Sequence, residues 1–108
     1  MNIEYSERLK QSPEEYALAQ SASDRLEELV ESGAKTLSGE WDRGFDEKGK
    51  TALTLRLRNA EGDTSSGRIT LEEFESPAIT GFRLVRVWGN LLQTRNERYL
   101  REFRGSEN

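Results

Sequence analysis

Between residues 37 and 71 the hydrophobic residues fall on alternate positions, and this change of period limits the available folds more than any other feature of the chain. Leu37, Gly39, Trp41 and Phe45 alternate with Ser38, Glu40 and Asp42. Beyond the segment DEKGK, Leu53, Leu55 and Leu57 alternate with Thr54, Arg56 and Arg58; beyond NAEGD, Gly67, Ile69 and Leu71 alternate with Ser66, Arg68 and Thr70. Successive side chains of a strand point to opposite faces, so each set belongs to one side of a sheet. Three short strands joined by tight turns, with Gly49 free to take positive φ in the first, predict an antiparallel meander. One face is apolar and the other polar, which places helices on a single side.

The flanking segments have the other period. Ser12, Pro13 and Glu15 read as an N-cap, a proline at the first helical position and the glutamate of a capping box. Leu18, Ala22, Leu26, Leu29 and Val30 then recur at steps of three and four, and Gly33 supplies a stop, so a helix is predicted over about 13 to 32. Ahead of it, Ile3, Tyr5 and Leu9 fit either a helical turn or a short strand. In the last third, Thr70 with Glu73 forms a second capping-box pattern, and Ser76–Pro77 repeats the cap-and-proline pair. Arg83, Arg86, Asn90, Gln93, Glu97 and Arg101 follow at helical spacing, with Phe82, Val85, Trp88, Leu92, Tyr99 and Phe103 as the complementary apolar stripe. A long C-terminal helix is predicted, although Gly81 and Gly89 each cost a helix about 1 kcal/mol.

The expected architecture is therefore α+β: an α-β-β-β-α two-layer sandwich, a three-stranded antiparallel meander with both helices on one face, in one domain over residues 1–108. Its expected core is Leu18, Ala22, Leu26, Leu29, Trp41, Leu53, Leu55, Leu57, Ile69, Leu71, Phe82, Val85, Trp88 and Leu92.

Composition narrows the chemistry. The chain has no cysteine and no histidine, which removes thiol nucleophiles, imidazole acid–base catalysis and the usual zinc ligands. An enzyme built on it would rely on carboxylates, lysine, tyrosine or hydroxyls, and no such constellation stands out, so the expectation is a non-enzymatic protein without cofactor or metal. The first residues, MNIEYSERLK, hold no apolar run of the signal-peptide kind, and no stretch approaches the roughly 20 apolar residues of a membrane span. A cytoplasmic location without membrane partner is the default expectation.

The net charge of −4 is unevenly distributed. Residues 1–50 carry 7 basic and 12 acidic side chains, whereas residues 76–108 carry 6 and 3, and all six basic ones are arginines. Arginine's planar fork suits carboxylate and phosphate recognition, so this segment fits an acidic protein surface or a nucleic acid. A solvated helix face, balanced by the acidic first helix, explains it without function.

The order α-β-β-β-α resembles that of double-stranded RNA-binding domains, in topology alone. Such domains carry a lysine-rich cluster at the start of the second helix; Ser76-Pro77-Ala78-Ile79-Thr80-Gly81 has none. That absence and the net acidity put nucleic-acid binding second.

Three smaller signals carry little. Glu72, Glu73 and Glu75 suit a helix N-terminus better than a cation site, because their spacing does not aim them at one point. Ser32-Gly33-Ala34-Lys35 matches the S-x-x-K of serine acyl enzymes but lacks the companion motifs. Glu40 and Asp42 opposite Arg56 and Arg58 need be no more than cross-strand charge pairs. The apolar surface of the C-terminal helix, through Trp88, Leu91, Leu92, Tyr99 and Phe103, says more: Leu84 and Val87 widen it beyond what one sheet face requires. Tryptophan and arginine, the residues most enriched at binding hot spots, share that helix. The expected function is a protein-interaction module, with a protein partner or a second copy of itself docked on Arg83, Arg86, Trp88, Leu91, Arg95, Arg98, Tyr99 and Arg101.

Overall fold

A computed structural model describes residues 1–31 and 36–106, and within them a mixed α+β fold. The chain runs β1 (Asn2–Tyr5), α1 (Glu7–Lys10), α2 (Pro13–Val30), β2 (Ser38–Phe45), β3 (Thr51–Arg58), β4 (Thr64–Thr70), α3 (Leu71–Phe74) and α4 (Pro77–Ser106). The expected glycine stop at Gly33 and the S-x-x-K match at residues 32–35 lie outside the described residues.

The meander forms as expected, with Ser38 paired to Arg58 and Leu57 to Ser65 in antiparallel register. Both connecting turns are built alike. Asp46 accepts from the backbone N–H groups of Lys48 and Lys50, Asn59 from those of Glu61 and Asp63, and Gly49 and Gly62 take positive φ.

The sheet has a fourth strand that the expected three-stranded meander lacked: β1 lies parallel to β2, from Asn2↔Ser38 to Tyr5↔Trp41. The ambiguity of the first ten residues resolves into both readings in succession, a strand and then one helical turn capped by Ser6, whose hydroxyl accepts from the Leu9 N–H. Four residues are too short for a visible alternation. Tertiary contacts hold the strand in place. Asp42 of β2 accepts hydrogen bonds from the Ser6 hydroxyl at 2.6 Å and the Arg8 Nε at 2.7 Å, with a second ion-paired contact to the Arg8 Nη2.

Helix α2 begins at Pro13, but Ser12 makes no side-chain cap. The expected capping-box glutamate, Glu15, is buried instead and accepts from the Arg43 Nε of β2 at 2.5 Å. The second box is present: Thr70 Oγ1 accepts from the Glu73 N–H, and Glu73 accepts from the Thr70 N–H. The core closes over the helix-facing side of the sheet, from Leu9, Ala19, Ala22 and Leu26 to Trp41, Leu53, Leu55, Leu57 and Ile69. At its centre the Ser23 hydroxyl accepts from Trp41 Nε1 at 2.8 Å and Tyr5 OH at 3.1 Å, and donates to the Ala19 carbonyl.

Helix α4 is continuous through Gly81 and Gly89, but its phase differs from the expected one. Leu84, Val87 and Leu91 pack on the sheet at 0%, 4% and 1% exposure, whereas Phe82 and Val85, assigned to the core from sequence, are 61% and 49% exposed. Trp88 and Leu92 are half-buried, and Leu29 of α2 is exposed as well. Gly67 is why the inner stripe fits so closely, since a Cβ there would lie 2.6 Å from Val87 Cγ2. Two apolar stripes on one cylinder compete for the same sheet, and β4 accepts the one with small and aliphatic side chains.

Candidate interaction surface

Helix α4 presents three longitudinal strips. The inner strip, through Thr80, Leu84, Val87 and Leu91, seals the core. The second is polar: Arg83, Arg86, Asn90, Gln93, Glu97 and Arg101. The third runs through Phe82, Val85, Gly89, Leu92, Asn96, Tyr99 and Phe103 at alternating steps of three and four, flanked by Ile79 and Leu100. Apart from half-buried Leu92, all of these are exposed, and a Cβ at Gly89 would meet nothing within 4 Å.

The predicted interaction residues divide between these strips. Leu91 belongs to the core, where it cannot touch a partner. Arg98 faces the turn between β3 and β4. It holds Asp63 through Nε and Nη2 at 3.0 Å each, pairs with Glu61, reaches Glu102 at 3.2 Å and lies 4.6 Å from the Tyr99 ring centroid. Tyr99 OH donates to Glu61 at 2.6 Å. Bidentate geometry makes this a strong tether between α4 and the β3–β4 turn. The Arg98 hydrogen bonds hold the Asp63 carboxyl below its usual range, hydrogen bonds from Tyr99 and then Arg98 do the same for Glu61, and Glu61 raises the Tyr99 phenol.

Arg83 grips Glu73 at 2.8 and 3.0 Å, which fixes α4 to the preceding turn. Arg95 lies 5.9 Å from the Tyr99 ring, with its Nε buried and unbonded. Arg86 and Arg101 are exposed, and among the described residues neither has a hydrogen bond or ion pair. Trp88 is half-buried beside Leu92 at a small pocket completed by Thr36, Leu37, Asn59 and Arg95. The arginine cluster thus separates into structural tethers, Arg83 and Arg98, and unengaged cations, Arg86 and Arg101.

The remaining surface is less organised. The uncovered sheet face carries Glu4 and Glu40 on paired strands near Arg56 and Arg58, all exposed. Glu72 meets Lys50 at 3.7 Å and Glu73 is held by its cap and Arg83, so the acidic cluster is dispersed. Among the described residues, no group of three or more acidic side chains is placed to hold a metal ion, and no helix is long and apolar enough to cross a membrane.

Sequence alone found the strip but assigned Phe82, Val85 and Leu92 to the core, although the signal of a second apolar face was present. Phe82, Val85, Leu92, Tyr99 and Phe103 keep a seven-residue repeat, whereas Leu84, Val87 and Leu91 offer the sheet a separate apolar face. Comparison with family models, curated proteins and solved structures gives no match.

Proposed function

We propose that this protein is an interaction module that binds a protein partner through the outward apolar strip of α4. The observation that carries the reading is that Ile79, Phe82, Val85, Tyr99, Leu100 and Phe103 stay open on a helix whose inner stripe already closes the core. With about 200 Å² for a fully exposed large side chain, these six leave on the order of 600 Å² in water, the upper end of what a typical monomer tolerates in one patch. Aromatic residues beside unengaged arginines have the composition of binding hot spots, and a helix with anchors at steps of three and four suits helix-to-helix docking.

A photo-crosslinking amino acid placed at Phe82, Val85 or Phe103, in the cell that makes the protein, tests this against Thr54 and Arg56 of the open sheet face. A discrete adduct from the strip and none from the sheet is expected. No adduct at any strip position, or equal yield from both faces, overturns the proposal.

A further inference from the structure

We infer that the partner is a second copy of this chain, docked through antiparallel α4 helices about a twofold axis between residues 90 and 91. This rests on the strip being an interaction surface, and adds the partner's identity and register.

The strip is written in heptads, with Phe82, Gly89, Asn96 and Phe103 at one seam position and Ala78, Val85, Leu92 and Tyr99 at the other. In an antiparallel pair each position of the first kind meets one of the second. Centred between 90 and 91, Phe82 faces the partner's Tyr99, Gly89 faces the partner's Leu92 and Ala78 faces the partner's Phe103. Small thus meets large in two layers, and two aromatics meet in a third; Val85 faces the Cβ of the partner's Asn96. Gly89 costs an exposed helix about 1 kcal/mol, and a Cβ there would point into open space. Opposite Leu92 it becomes a socket. A parallel pair would instead stack Gly89 on its own copy, leaving an empty layer.

Charge selects the register. In this one, Arg86 flanks the partner's Gln93, Ile79 flanks the partner's Leu100, and Arg95 reaches the partner's Trp88, where a guanidinium over an indole is favourable. Sliding one heptad in one direction sets Arg86 against its own copy. Sliding the other way does the same for Arg95. Of these three registers, the one centred between 90 and 91 alone avoids opposed arginines, and like charges at such positions decide pairing. The twofold makes the interface isologous, so every contact occurs twice. Complete burial of the six exposed apolar side chains would remove about 1,200 Å² over both copies, which reaches the threshold for a specific interface.

Because the chain contains no cysteine, single-cysteine variants can be spin-labelled at one chosen site. Asn90→Cys and Arg101→Cys lie outside the apolar strip. At 1.5 Å rise per residue, labels at 101 should stand about 30 Å apart along the helices, and labels at 90 nearly level with each other. A parallel pair gives the same short distance at both sites, and would overturn the inference. Light scattering on the purified wild-type chain at tens of micromolar should give twice the chain mass, with Gly89→Leu shifting it toward the monomer. A folded wild-type monomer at that concentration overturns the inference, while strip-specific adducts of a different mass in cells would leave the broader interaction reading standing.

Discussion

Leu84 and Val85 are neighbours in sequence, yet α4 turns one into the sheet and the other outward, and replacing each by alanine tests that phase directly. Leu84 is fully buried, so truncation loses transfer free energy and leaves a cavity in the buried cluster it shares with Ile69 and Leu91. Leu→Ala in such a setting costs 2–5 kcal/mol, and about 3 is expected here. Val85 is 49% exposed. Losing about two half-buried methylene equivalents costs under about 1 kcal/mol, and alanine's better helix propensity returns roughly half of that, so the net change falls within about 0.5 kcal/mol. Urea unfolding followed by tryptophan fluorescence reads both. With a slope of about 1.5 kcal/mol per molar, Leu84→Ala should lower the midpoint by about 2 M and Val85→Ala should leave it nearly unchanged. Measurements across a protein dilution series, taken to the dilute limit, separate folding from association. If Val85→Ala is the damaging change and Leu84→Ala the mild one, the helix faces the sheet with its other stripe, and the docking argument fails with it.

Other consequences are independent of association. Ser23→Ala orphans the Trp41 indole N–H and the Tyr5 hydroxyl inside the core and should cost about 1–3 kcal/mol in the same assay, with an altered tryptophan emission. Gly67→Ala forces a methyl against Val87 and should cost about 1–3 kcal/mol; adding Val87→Ala should restore part of that, whereas Gly44→Ala, with open space around it, should be near neutral. The carboxyls of Asp42, Asp63 and Glu73 are held below their ordinary range, by Arg8, by Arg98 and by the Thr70 N–H respectively. A depressed carboxyl contributes stability above its unfolded value and loses it as the pH falls through the folded one. Thermal stability should therefore decline from about pH 4 downward, and Arg98→Met should flatten that decline; an unchanged acid profile would remove the turn-to-helix tether from the account.

Local chemistry in the sequence settled the hairpins, the Thr70 capping box and the Ser76–Pro77 start of α4, because each depends on residues within a few positions of one another. The meander was legible for the same reason: a period of two survives whatever packs above it. Strand β1 was not legible, since four residues carry no period and its pairing depends on Asp42 reaching Ser6 and Arg8 from more than thirty positions away. Glu15 likewise left its expected cap for a partner on β2. The largest decision taken by tertiary structure concerned α4, where two apolar stripes had equal claim on the core. Helical periodicity identifies stripes but does not rank them. The sheet ranked them through shape, because Gly67 opens a socket for Val87, and through tethers, because Arg83 and Arg98 lock the helix rotation against Glu73 and Asp63.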